Sequence, residues 1–188
     1  MVNRPVIYSQ MVSLDGYVED QNGNIDWSQP DEDVFHFILE LEKRIDTHIY
    51  GRKTYENMAA YWPNVLTDHT ASKADKEWAN MWVNAQKIVF TRASHVSLQE
   101  HTRIATLMEE ELIDLKKQRG QAISLGGASI AETFMEEGYI DEFQLFIFPL
   151  LLGSGKPMFP IQKHTQKLKL VETKTFNTGV QFLHYAKN

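Results

Sequence analysis

Cysteine is absent from the 188-residue chain. That excludes disulfides, thiolate metal ligands and a thiol nucleophile, and it suits a reducing compartment, so a cytoplasmic protein is expected. A basic excess is missing too: 19 Lys and Arg stand against 25 Asp and Glu, for a net charge of −6. A nucleic-acid partner would leave a basic footprint, so none is expected, and any phosphate site must be assembled from a few locally placed cations. There is no long apolar run. The longest, around residues 143–152, is broken by Gln144 and Pro149 and is too short to span a bilayer, so no membrane partner is expected. Residues 1–5 lead into a strand-like run without an apolar signal core. The seven histidines show no H-x-x-x-H spacing, so no metal site is expected, and no serine sits in a G-x-S-x-G elbow.

What is present is ordinary for a globular chain: 43% hydrophobic and 23% charged residues. A single domain over residues 1–188 is the simplest reading, long enough to bury about 70% of the surface its unfolded chain exposes. Strand-like and helix-like segments alternate over most of the length. A closing hairpin, residues 168–176 and 180–186 about Asn177-Thr178-Gly179, must pair antiparallel, so an α/β fold with a mixed sheet is expected.

Two strand-to-helix junctions stand out. In Leu125-Gly126-Gly127-Ala128-Ser129-Ile130 a charge-free strand runs directly into a helix. Ser129 with Glu132 has capping-box spacing and places the helix start at Ser129. Paired glycines admit a ligand close to the backbone, and free amides at a helix start attract phosphate. The second junction is Tyr50-Gly51-Arg52-Lys53-Thr54-Tyr55, a strand end followed by two cations at a helix N-terminus. Cations there oppose the helix dipole, a conflict that a docked anion would remove. Each junction also has a bland reading, tight packing in one case and solvated surface cations in the other.

Elsewhere the residues read as helix over 30–44 with Val34, Phe35, Ile38, Leu41 and Ile45 inward, and helix over 52–60. An irregular connection over 61–71 contains Pro63, and a helix follows over 72–84. A strand is expected over 87–92, connection over 93–106, helix to Gln118 and strand over 142–148. Trp62, Trp78 and Trp82 read as core, with a pocket cover or a dimer interface as alternatives.

The motifs carry a resemblance. Ser13-Leu14-Asp15-Gly16-Tyr17-Val18, Tyr50-Gly51-Arg52-Lys53-Thr54-Tyr55, Lys87-Ile88-Val89-Phe90-Thr91-Arg92, Leu125-Gly126-Gly127-Ala128 and Gly153-Ser154-Gly155-Lys156-Pro157 stand in the order of a known family. The chain resembles the dihydrofolate reductase-like superfamily, in the bacterial branch similar to the reductase (RibD C-terminal) domain of riboflavin biosynthesis. The resemblance implies a three-layer α/β fold with helices on both faces of a mixed, mostly parallel sheet. It also implies reduction by a nicotinamide cofactor. Gly51, Arg52, Lys53 and Thr54 would lie against the pyrophosphate and ribose phosphate. Thr91 and Arg92 would lie beside the adenosine 2′-phosphate, and Gly126, Gly127, Ala128, Ser129 and Ile130 would cradle the pyrophosphate. The cations favour NADPH over NADH; a flavin-dependent version stays open.

For the proton that accompanies hydride, the resemblance points first to Asp15 and second to Glu32, with Asp31 or Asp33 replacing Glu32 if the alignment slips. Turn formation by Asp15 and dipole complementation by the other acids are the bland alternatives. Tyr17 and Trp27 would line the substrate pocket, and Lys156 would meet a ligand phosphate or be a surface lysine. Ile147 stands where folate reductases carry a supporting threonine, which makes dihydrofolate a poor candidate. The expected activity is reduction of a C=N or C=O in a small pterin- or pyrimidine-like heterocycle. A non-catalytic ligand-binding protein on the same fold is the rival, and a homodimer is compatible with either.

Overall fold

The computed structural model describes residues 4–93, 95–106, 108–160 and 165–188. In chain order the elements are β1 (Val6–Ser13), β2 (Tyr17–Asp20), a 3-10 turn (Asp26–Ser28), α1 (Glu32–Glu42), β3 (Ile45–Gly51), α2 (Arg52–Val65) and α3 (Lys73–Asn84). There follow β4 (Gln86–Phe90), β5 (Thr102–Ala105), α4 (Met108–Lys117), β6 (Ala122–Gly126), α5 (Ala128–Glu136), β7 (Glu142–Phe148), β8 (Gly155–Pro157), β9 (Leu168–Thr175) and β10 (Gln181–Lys187). The chain is an α/β fold whose main sheet is mixed and has eight strands. It divides into two compact units, residues 1–5 with 35–127 and residues 6–34 with 128–188.

In the first unit the strands lie in the order β5-β4-β3-β6, all parallel. Parallel strands covered by helices need apolar runs rather than alternation, and Ile49, Tyr50, Ile88, Val89, Ile123 and Leu125 are buried accordingly. Leu39, Tyr50, Tyr55, Trp78, Trp82 and Val89 form one core cluster, with Met58, Ala59 and Trp62 packed on it. The tryptophans are therefore core. Trp62 and Trp78 stack with ring centroids 4.1 Å apart.

This cluster explains a departure from the sequence reading. Helix α2 does not stop at residue 60 but runs to Val65 with Pro63 inside it. A proline inside a helix costs about 3 kcal/mol or more, since it removes a ladder bond and clashes with the preceding turn. Burying Met58, Ala59 and Trp62 offsets that cost, and the Asn64 side-chain amide donates to the Ala60 carbonyl (2.8 Å). α1 is shorter than read, and Leu39 rather than Leu41 is its most buried leucine. α3 starts as expected, with Ser72 and Asp75 forming a reciprocal cap. β5 falls within the connection that the sequence predicts over 93–106. It is a four-residue strand with Arg103 and Ile104 exposed, too short to show a period.

Arg4, buried at 3% exposure, ties this unit together: its guanidinium donates to the Gln121 carbonyl (2.8 Å) and the Thr47 hydroxyl (2.8 Å) and pairs with Asp46.

In the second unit β1 runs parallel to β7, from Ile7 opposite Glu142 to Ser13 opposite Phe148. β10 pairs antiparallel with both β7 and β9. The terminal hairpin is thus present, and its Phe176–Val180 turn carries Gly179 at φ 88°, the left-handed residue that a three-residue loop requires. β2 and β8 make a small separate sheet. Residues 155–157, read as loop, form β8 by pairing with β2.

Candidate active site

The first unit brings three strand ends side by side. Gly51 at the end of β3 lies opposite Phe90 of β4, and Tyr50 lies opposite Gly126 of β6. The residues that follow these positions are Arg52-Lys53-Thr54, Thr91-Arg92 and Gly127. Eight of the residues expected to face a cofactor, on three separated motifs, therefore occupy one edge of one parallel sheet. Arg52, Lys53 and Arg92 are all exposed. The Arg52 guanidinium reaches the Glu56 carboxylate one turn along (3.1 and 3.3 Å), an exposed pair worth little in stability. Thr91 is partly committed: its hydroxyl accepts from the Ala93 amide (3.0 Å).

Helix N-termini differ across the molecule in a way that bears on this edge. α1, α3 and α4 carry Glu32 and Asp33, Asp75, and Glu109 to Glu111 in their first turns. α2 and α5, the helices that follow the glycine-bearing ends of β3 and β6, carry no acid there. Gly51 caps α2 without any side-chain bond to its amides. The partial positive charge of these two helix starts is therefore not balanced by an acid in their own first turns.

Beneath the edge the backbone is anchored. A Cβ at Gly126 would stand 2.4 Å from Cε1 of Tyr50, so only glycine permits this approach. The Tyr50 ring is held in turn: Trp82 Nε1 donates to its hydroxyl (3.0 Å), which lies 3.2 Å from His48 Nδ1. His48 stacks parallel to Tyr50, its Nε2 3.0 Å from a Glu42 carboxylate oxygen. Burial pushes the Tyr50 phenol far above its ordinary range, so it remains protonated. Lys87, also buried, donates to the carbonyls of Trp82 (3.0 Å), Val83 (3.0 Å) and Ala85 (2.8 Å) and so caps the C-terminus of α3. Burial lowers its ammonium to about 8. Glu42, His48 and Lys87 carry no site role in the sequence reading, where Trp82 reads as core with a pocket cover or a dimer interface as alternatives. Their signal there was faint: polar residues at 48 and 87 inside strands that otherwise read as fully buried.

The second unit holds the remaining candidates. Asp15 lies in the turn after β1, exposed, and its carboxylate accepts from the Ser13 hydroxyl (2.6 Å), the Gly153 amide (2.7 Å) and the Leu152 amide (3.1 Å). These bonds, the serine first, hold it below the usual carboxylate range. Asp15 therefore ties its own turn to the loop after β7. Tyr17 is half-buried at the start of β2, its amide donating to the Ser13 hydroxyl (3.0 Å). Trp27 sets its ring edge-on to Phe148 at 6.0 Å, and its Nε1 donates to the Asn24 carbonyl (3.2 Å). Asp31 accepts from the Val34 amide (2.8 Å) and caps α1, while Glu32 is exposed in the first turn. Lys156, on β8, donates to the Ser129 hydroxyl. That bond corrects the expected cap: α5 opens at Ala128 behind Gly127 (φ 103°), so Ser129 is already helical. Ala128 and Ile130 share this first turn, with Ile130 buried.

Comparison with known proteins agrees with this architecture. The RibD C-terminal domain model matches residues 4–182. The chain belongs to that family. It is 36% identical to uncharacterized protein YyaP of Bacillus subtilis over 98% of this chain and 96% of that protein. Among solved structures, a pyrimidine reductase-like protein from Corynebacterium diphtheriae superposes with a TM-score of 0.66 at 15% identity, covering 98% of this chain and 92% of that one. Dihydrofolate reductase from Enterococcus faecalis, complexed with NADP(H), superposes with a TM-score of 0.64 at 17% identity, covering 98% and 96%. At these identities the superpositions establish the fold. The family membership identifies the chain as RibD reductase-like.

Proposed function

We propose that this RibD C-terminal-family chain is an NADPH-dependent reductase of a small pyrimidine- or pterin-like heterocycle, acting on a C=N or C=O bond. One observation carries the reading: the parallel edge of β4, β3 and β6 collects Arg52, Lys53 and Arg92 beside Gly51, Gly126 and Gly127 in a chain that is acidic overall. A dinucleotide phosphate fits these residues. The Tyr50 ring packs on Gly126 and excludes any side chain there, the helices after the two glycine ends lack first-turn acids, and the exposed cations can neutralise a phosphate dianion. In this reading Gly51 to Thr54 and Gly126 to Ile130 hold the pyrophosphate, and Thr91 with Arg92 holds the 2′-phosphate.

When bound, the cofactor supplies the hydride. The protein's part is to orient the reactants and exclude water, a contribution on the order of 7–11 kcal/mol in favourable intramolecular systems. Asp15, held as a carboxylate, does not itself carry the proton at neutral pH. Its role in the proposal is to orient a water or a substrate N–H, with Glu32 second. Tyr17 and Trp27 offer ring faces to the heterocycle, and Lys156 offers a charge to a substrate phosphate.

The test is direct. Purified protein titrated with NADPH and NADH should bind NADPH more tightly. NADPH oxidation should then appear with at least one member of a pterin and pyrimidine panel that includes phosphorylated nucleosides. Equal or absent binding of the two cofactors refutes the cofactor assignment, and a yellow protein as purified points to flavin. A second reading has an observation of its own. Three donors from the chain already engage the Asp15 carboxylate, as suits a ligand-binding protein without turnover. Tight NADPH binding with no oxidation across the panel selects that reading.

A further inference from the structure

Glu42, His48, Tyr50 and Trp82 link α1, β3 and α3 beneath Gly126, and counting donors places each hydrogen among them. The Trp82 indole N–H can only donate, so the Tyr50 oxygen accepts from it (3.0 Å). The Tyr50 hydroxyl hydrogen then needs an acceptor of its own. Among the described residues the polar atom that meets it is His48 Nδ1, at 3.2 Å. Nδ1 is therefore an acceptor, and a neutral ring carries its single proton on Nε2. That nitrogen faces a Glu42 carboxylate oxygen at 3.0 Å without an aligned hydrogen bond. The placement of Glu42 supports the same order. It is the last residue of α1, where the helix carbonyls are already negative and the last turn holds no cation. Its side chain is also mostly buried, so neither the helix nor solvent favours a carboxylate there, and the His48 ring is its counterpart.

We propose that His48 is a positioning residue for the cofactor: as the neutral Nε2–H ring it fixes the Tyr50 ring beneath Gly126, and a second proton on His48 loosens that ring and weakens dinucleotide binding. The inference rests on the NADPH reading of the β4-β3-β6 edge.

The second proton goes to Nδ1, the atom that Tyr50 uses. Nδ1 then donates instead of accepting, and the hydroxyl hydrogen loses its acceptor. His48, Tyr50 and Trp82 are all buried, so water does not replace the lost partner, and an unpaired buried hydroxyl is unfavourable. The protonated ring is at the same time drawn towards Glu42. Relief requires the Tyr50 ring to shift, and that ring lies directly against Gly126, where a Cβ would stand 2.4 Å from its Cε1. A displaced ring therefore displaces the glycine backbone that is proposed to receive the pyrophosphate. Three other titratable groups face His48: Glu42 from α1, Tyr50 along β3, and Lys87 opposite it on β4. β6 sets Ser124 opposite it and α3 brings Trp82, neither of which titrates. The Tyr50 phenol stays protonated, and burial lowers the Lys87 ammonium only to about 8. Neither changes charge as the pH falls from about 7.5 to about 5.5, where histidines take up a second proton.

NADPH titrated into the full chain over that pH range, wild type beside His48→Asn, tests the role. The side-chain oxygen of the introduced asparagine can accept the Tyr50 hydroxyl and takes up no proton. The cofactor's 2′-phosphate also titrates in this range, but it does so for both proteins, and the ratio of their affinities isolates residue 48. The two should bind within about threefold of each other at pH ~7.5, and the wild type should be about fivefold or more the weaker at pH ~5.5. His48→Leu offers no acceptor and should bind about fivefold or more weaker than wild type at pH ~7.5. Denaturation curves report whether each variant is folded. Nitrogen-15 NMR of the imidazoles reads the proton without cofactor. Of the seven histidines, the one missing from the His48→Asn spectrum should be protonated on Nε2 and bare on Nδ1. By linkage, NADPH added at the acid end should move that ring towards its neutral form. A neutral ring protonated on Nδ1, a wild-type acid profile that matches His48→Asn, or a His48→Asn protein that binds as weakly as His48→Leu overturns the proposal and leaves the cofactor reading standing. A wild type that binds no NADPH at any pH overturns both.

Discussion

The cationic strand ends of the first unit and the Asp15 turn of the second present opposite uses of charge. At the strand ends Arg52, Lys53 and Arg92 stand exposed on backbone that is anchored from below by the Tyr50, His48 and Trp82 side chains. Positions are held by packing, and the charged groups stay at the surface, Arg52 beside Glu56. In the Asp15 turn the charge itself does the holding: one carboxylate accepts from Ser13, Leu152 and Gly153. One segment leaves its cations at the surface, and the other uses its carboxylate to hold the chain's own loop. A motif residue thus declares a site without declaring its role, and the hydrogen-bond partners supply that distinction.

The comparison is broken most severely from beneath the strand ends. Trp82 is fully buried and donates to Tyr50. Trp82→Ala should cost about 3–5 kcal/mol, read by chemical denaturation, and should loosen the Tyr50 ring under Gly126. Gly126→Ala comes next. Its Cβ would stand 2.4–2.6 Å from the Tyr50 ring, and such overpacking costs about 1–3 kcal/mol. If the bare backbone serves a phosphate, NADPH affinity should fall at least tenfold in this variant at a temperature where it remains folded. Unchanged affinity would mean that the glycine serves packing alone.

Much of the fold was legible because strong local signals agreed with the tertiary structure. The spacing of apolar residues located β7 at its observed bounds, Glu142–Phe148, and the Asn177-Thr178-Gly179 turn announced the terminal hairpin. What escaped was set by partners distant in sequence. β5 and β8 are too short to show a period and exist through pairing with β4 and β2. α2 passes through Pro63 because its apolar face has a core to bury against. The Ser129 cap failed because Gly127 lets the helix begin one residue earlier, and Lys156 takes the hydroxyl. For the candidate site the sequence named Gly51 to Thr54, Thr91, Arg92, Gly126 and Gly127, and the sheet register sets the three strand ends that carry them side by side. The support from Glu42, His48 and Lys87 was illegible, because side-chain contacts between a helix and a strand leave no periodic trace, whereas Trp82 already read as core.

A smaller change sharpens the contrast at the surface of the first unit. Arg92 is exposed just past β4. Arg92→Ala should leave stability within about 0.5 kcal/mol of wild type. Loss of a charge-assisted bond to phosphate, about 1.5–3 kcal/mol, should weaken NADPH roughly 10- to 100-fold and leave NADH little changed. Titration of both cofactors against the variant decides this. Parallel losses for the two would move Arg92 from the 2′-phosphate to the shared part of the dinucleotide.

The smallest expected effect lies at Asp15, and its sign follows from its hydrogen bonds. They lower the folded-state carboxyl below its ordinary value of about 3.9. The unfolded chain then binds the proton more readily, so the contribution to stability is present above about pH 4 and is lost as pH falls through the folded value. Asp15→Asn removes this titration and should flatten the acid limb of a stability profile measured below about pH 4. An amide oxygen still accepts from Leu152 or Gly153, so the fold at neutral pH should be retained. If Asp15 also orients a reacting group, kcat for NADPH oxidation should fall at neutral pH while NADPH binding holds. An unchanged kcat alongside a flattened acid limb would assign Asp15 wholly to the loop it ties down.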